Sequence, residues 1–112
     1  MTTSVGEHPQ WIDAAALSDV QDWQMQAVTI GAREIALFSV GDAVHATDNI
    51  CTHGHARLCE GFLEGTEIEC PLHQGRFDVC TGKVTSGPAE DPLRTYPVRI
   101  ENGRVWVEIH RA

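Results

Sequence analysis

The chain has 112 residues, 42% of them hydrophobic and 21% charged, with sixteen acidic against eight basic side chains and a formal net charge of −8. This is the size and make-up of a single globular domain. The acidic balance excludes the basic footprint that nucleic acid requires. With no run of eighteen apolar residues and no signal-peptide pattern, a soluble cytoplasmic protein with no membrane segment is expected.

Residues 1–9 read as a short polar arm ending at Pro9. Gln10 to Ala14, centred on Trp11 and Ile12, predicts a first strand, and Leu17 to Val20 a single helical turn capped by Ser18 or Asp19. Trp23 is expected in the core or as a partial lid. Gln26–Ile30 and Glu34–Val40 are apolar, β-branched runs separated by Gly31-Ala32-Arg33, a hairpin signal. Gly41-Asp42 turns the chain into a further strand, Ala43 to Asp48. Such a meander makes one side of a small antiparallel sandwich or barrel.

The meander delivers the chain to Cys51-Thr52-His53, and sixteen residues later comes Cys70-Pro71-Leu72-His73. Each loop offers one thiolate and one imidazole. Structural zinc sites built from short loops usually pair like with like. A 2Fe–2S cluster with two histidines in place of two cysteines needs the mixed pattern, each loop giving its Cys to one iron and its His to the other. A structural zinc module with the same four ligands is the rival reading. Thr52 and Pro71 resist helix, and Gly54 and Gly75 are expected to supply positive φ beside the ligands.

Short strands are predicted near Gly61–Leu63, Glu67–Glu69 and Arg76–Asp78, with Ile68 facing inward and Phe62 and Phe77 packing beneath the loops. Cys59 and Cys80 are expected as free thiols of a reducing compartment. His55 reads as a surface residue rather than a third ligand, and His8, His45 and His110 have no partner legible in the sequence. Charge is not concentrated here along the chain: residues 45–85 hold six acids and three bases. Thr85 to Pro92 is too rich in glycine and proline for a strand. Tyr96–Glu101 and Arg104–Ile109, joined by Asn102-Gly103, form a terminal hairpin with Trp106 in the core.

Cys51-Thr52-His53-Gly54 and Cys70-Pro71-Leu72-His73-Gln74-Gly75-Arg76-Phe77-Asp78 resemble the two cluster-binding boxes of Rieske proteins. The run from Gly61-Phe62-Leu63-Glu64-Gly65 to Gly82-Lys83 resembles the Rieske ferredoxins of bacterial aromatic-ring-hydroxylating dioxygenase systems, the naphthalene-dioxygenase type especially. The likeness extends from about Trp11 to Glu108. It implies an all-β Rieske fold in a single domain: base strands at about 10–48 and 93–109, a cluster-binding subdomain at about 49–85, and a covering loop at about 85–92 carrying Gly87-Pro88. It implies one 2Fe–2S cluster on Cys51, His53, Cys70 and His73, with the outer ring nitrogens of His53 and His73 at the tip as the electron's exit.

The same resemblance implies a monomeric carrier rather than an enzyme. It would take electrons from a flavoprotein ferredoxin reductase and give them to a terminal oxygenase. A nitrite-reductase small-subunit-like protein is the alternative within electron transfer. Respiratory-chain Rieske subunits carry a disulfide and a Ser and a Tyr near the cluster; the matching positions here are Ala56 and Leu72, and Gly75 and Phe77. Without those hydroxyl donors, the expected potential is at the low end of the Rieske range, roughly −150 mV.

Overall fold

A computed structural model of the chain describes residues 9–52, 56–71, 74–87 and 91–110. Among the described residues the fold is three antiparallel sheets and one short helix. The strand that organises them is β3 (Arg33–Val40), whose centre is apolar without alternation because both of its faces are covered. Ile35 and Leu37 point into one core, with Val20, Val44, Ala46, Tyr96, Val105 and Val107. Ala36 and Phe38 point into a second core, with Cys51, Leu58, Ile68, Cys70, Phe77, Val79 and Leu93. Phe38 and Phe77 are wholly buried, and each contributes about 1.5–3 kcal/mol by removal from water.

β3 pairs on one side with β2 (Met25–Ile30) and on the other with β4 (Ala43–Asp48). The β2–β3 turn is two residues, Gly31 and Ala32, so β3 begins at Arg33, one residue before the start predicted from the sequence. β1 (Pro9–Ala16) pairs with β11 (Arg104–His110), which pairs in turn with β10 (Val98–Glu101). Asn102 (φ 52) and Gly103 (φ 74) both take the left-handed conformation that a two-residue hairpin turn needs.

The predicted strand Tyr96–Glu101 is divided. Pro97 has no N–H to donate, and the chain changes sheets there. β9 (Thr95–Tyr96) pairs with β4, while β10 joins β11. Trp106 is only half-buried; its neighbours Val105 and Val107 fill the core instead.

The helix α1 (Leu17–Trp23) is longer than one turn, and neither Ser18 nor Asp19 caps it. Ala16 occupies the cap position, and the Leu17 N–H donates to the Gly103 carbonyl (2.9 Å), a backbone partner brought in by the far hairpin. The helix ends where Gln24 turns left-handed (φ 65). Met25, partly buried, thereby packs against the second core, and Trp23, expected in the core or as a partial lid, is left 76% exposed.

The third sheet runs β5 (Phe62–Glu64), β6 (Glu67–Glu69), β7 (Arg76–Asp78), β8 (Val84–Ser86). Leu63, Ile68, Phe77 and Val84 face the second core. Phe62 belongs to the opposite parity and is 67% exposed, contrary to the expectation that it packs under the loops. β8 also extends through Thr85 and Ser86, which the sequence assigned to a loop. A register shift between Arg76 and Phe77 lets β7 accept it before Gly87 ends the strand. No helix among the described residues is long and apolar enough to cross a membrane.

Candidate metal centre

The two boxes are built alike. A bridge between Ile50 and Arg57 flanks residues 51–56, and the pair Glu69–Arg76 flanks residues 70–75. Each is a six-residue loop headed by a cysteine. In each the cysteine N–H donates to the carbonyl five residues on: Cys51 to Ala56 at 2.9 Å and Cys70 to Gly75 at 2.7 Å. Both cysteines are buried, at 2% and 0% exposure, and both belong to the second apolar core. Two loops of equal length and equal closure therefore begin from one core.

His53, His73, Gly54, His55 and Leu72 lie outside the described residues, as do Pro88 of the expected covering loop and His8 of the arm. Among the described residues no group of three or more His, Cys, Asp or Glu is placed to hold a metal ion. Gly75 does not take the positive φ expected of it. Gln74 (φ 62) makes the left-handed step one residue earlier, leaving Gly75 buried with its carbonyl turned back to Cys70.

The first loop is fastened at both ends by Asn49, which is wholly buried. Its N–H donates to the Glu34 carbonyl (2.9 Å), and its own carbonyl accepts from the Leu58 N–H (2.7 Å). Its side-chain Oδ1 accepts from the Cys59 N–H (2.9 Å). Asn49 thus ties the start of β3 to the chain entering and leaving the box. Arg57 adds a two-pronged pair with Glu34 (2.8 and 3.1 Å), whose guanidinium holds the Glu34 carboxyl below its usual range. Thr52 Oγ1 donates to the Asp91 carbonyl (2.8 Å), joining the first box to the segment that follows β8.

The second box is set by the third sheet. Arg76 reaches Glu67 at 2.9 Å and Glu64 and Glu69 at 3.1 Å each, spanning three strands. Those carboxylates raise its pKa further above the usual arginine value. The loops also meet through backbone. A Cβ on Gly61 would lie 2.0 Å from the Glu69 carbonyl oxygen, so only glycine permits the exit of the first box to press on the strand entering the second.

Sequence reasoning missed Asn49 and the Arg76 network. Strand parity places Glu64, Glu67, Glu69 and Arg76 on one face and was the available signal for the latter. No local pattern marks Asn49. Cys59 and Cys80 are free cysteines. His45, left without a partner by the sequence, has its Nε2 3.3 Å from Cys80 Sγ, bridging β4 and the turn after β7. Burial first, and then Asp78, pushes the Cys80 thiol up.

Two buried sulfurs heading matched loops, in a chain whose remaining box positions carry imidazole, form a donor set that fits a 2Fe–2S cluster of mixed ligation. Residues 10–97 match the Rieske [2Fe-2S] domain family. The ferredoxin component of a naphthalene 1,2-dioxygenase system from Pseudomonas putida is 54% identical over 100 residues, covering 89% of this chain and 96% of that protein. A solved complex of reduced oxygenase and oxidised ferredoxin in carbazole 1,9a-dioxygenase contains a chain of 42% identity and TM-score 0.84, covering 91% of this chain and 95% of that one. A small subunit of an NADH-dependent nitrite reductase from Mycobacterium tuberculosis shares the fold (TM-score 0.81; 95% and 100% covered) at only 21% identity, which supports the architecture and not the function. Matched loops on a common core, and identity sustained along nearly the whole chain, make this protein a member of the Rieske [2Fe-2S] domain family, of the kind that serves as the ferredoxin component of aromatic dioxygenase systems.

Proposed function

We propose that Cys51, His53, Cys70 and His73 hold one 2Fe–2S cluster, and that this carrier takes single electrons from a flavoprotein reductase and passes them to a terminal aromatic-ring-hydroxylating oxygenase. When bound, the cluster supplies reversible one-electron chemistry. The chain does the rest. The second core keeps water from Cys51 and Cys70, the Cys51 and Cys70 N–H bonds hold the loops closed, and Asn49 and Arg76 fix the loops to their sheets. The segment from 49 to about 85 serves as the cluster-binding subdomain, inserted between β4 and β9 of a monomeric, cytoplasmic protein. Partners dock over His53, His73 and the loops that carry them.

The observation that carries this reading is the pair of six-residue loops, each begun by a buried cysteine and closed by the same hydrogen bond, set on one core. The test is metal and sulfide analysis with visible spectroscopy. The expected result is two irons and two acid-labile sulfides per chain, absorption that dithionite bleaches, and loss of that chromophore in His53→Ser and His73→Ser. A colourless protein holding one zinc would overturn it.

A further inference from the structure

The outer face of the third sheet departs from the pattern its strands otherwise follow. Inward parity takes Leu63, Ile68, Phe77 and Val84. Outward parity gives two rungs across the sheet, Phe62–Glu69–Arg76–Ser86 and Glu64–Glu67–Asp78. Every outward residue is charged or polar except Phe62, which stands 67% exposed on the edge strand between the exposed carboxylates Glu60 and Glu64. With Lys83, exposed just before β8, the face carries five carboxylates against two cations, a balance of −3. Arg76 is already engaged by three of the five. The upper rung immediately precedes Cys70 and follows Gly75, so this surface is the flank of the second box.

We infer that this flank is a docking surface for a redox-partner protein, with Phe62 entering an apolar notch rimmed by lysine or arginine that meets Glu60 and Glu64. The inference rests on the electron-carrier reading and extends its interface from the tip to the side of the second box. Aromatic side chains ringed by polar groups are the usual anchors of protein interfaces, and complementary charge accelerates encounter. Charge also selects the occupant. A second copy of this chain would set −3 against −3, and a nucleic acid or an anionic lipid surface would meet the same repulsion. A cationic protein surface gains from both the phenyl group and the carboxylates.

The test uses the cluster-loaded protein with the reductase and the oxygenase of an aromatic dioxygenase system, each assayed separately over ferredoxin concentration and salt. Phe62→Ser and Phe62→Leu are compared with Trp23→Ser, an exposed aromatic at the end of α1 rather than on the third sheet. Visible spectrum and midpoint potential should not change in any of them, since Phe62 lies outside both cores. Expected is a rise of about tenfold in the ferredoxin KM with at least one partner for Phe62→Ser, a smaller rise for Phe62→Leu, none for Trp23→Ser, and a weaker salt dependence in Glu60→Gln, an exposed carboxylate outside the Arg76 network. An unchanged KM with both partners, or a Phe62-dependent dimer in sedimentation, would overturn the inference. A protein with no Rieske spectrum would instead undo the carrier reading itself.

Discussion

Asn49 shows how one buried residue can hold a loop at both ends, through its backbone N–H and carbonyl and its side-chain oxygen together. It bonds to the Glu34 carbonyl, the Leu58 N–H and the Cys59 N–H, and so joins β3 to the chain on either side of the first box. Replacing it with alanine leaves the Cys59 N–H without its acceptor. A buried donor stranded in this way costs about 1–3 kcal/mol. Asn49→Ala should therefore lower the free energy of unfolding by that much, seen by circular dichroism as a lower urea midpoint at unchanged m, and should speed loss of the visible chromophore in the folded protein. An unchanged midpoint would show that water replaces the bond. Gly61 is a second single-residue constraint, because any side chain there collides with the Glu69 carbonyl. Neither residue announces itself locally. Asn49 reads in the sequence as part of a loop entry, and Gly61 as the start of a short strand.

At the scale of elements, β9 is only two residues long and yet closes the second sheet against β4. Its fastening is Tyr96, the sole tyrosine of the chain, whose hydroxyl donates to Asp48 Oδ1. Burial first, and then the Asp48 carboxylate, raises the phenol above its ordinary value of 10.0. The folded chain thus keeps a proton that the unfolded chain gives up at about pH 10. Its contribution is complete below that pH and falls away as pH rises toward the folded pKa. Tyr96→Phe should cost about 1.5–3 kcal/mol at neutral pH, the range for a hydrogen bond to a charged group. It should also flatten the decline in stability above pH 10, measured by urea unfolding at neutral and alkaline pH. Tyrosinate absorbance of the native protein reports this one group directly. The split at Pro97 has the same local cause, and proline's missing donor was readable in advance. The sheet that β9 then joins was not, because the partner, β4, lies some fifty residues earlier.

For the whole molecule, a low reduction potential is predicted. Gly75 has no side chain, and the Phe77 ring is wholly buried in the second core without a hydroxyl. Neither position offers the donors that stabilise a reduced cluster. The midpoint at neutral pH should fall at roughly −150 mV in protein-film voltammetry, and a clearly positive value would contradict it.

The strand-rich class and the Asn102-Gly103 hairpin were legible from residue order alone, because each depends on spacing or on the φ preference of a few neighbours. Of the four proposed box residues, Cys51 and Cys70 are found buried at the heads of matched loops, while His53 and His73 lie outside the described residues. The burial of β3 on both faces was foreshadowed by its unbroken apolar run. Tertiary structure decided what distance along the chain conceals: that Gly103 rather than Ser18 satisfies the start of α1, that Met25 packs against the core while Trp23 is left exposed, and that Phe62 faces solvent. Cys51 and Cys70 share one core for the same reason. Local patterns set which way a side chain alternates, but only the packing of distant strands determines which of the two faces is covered.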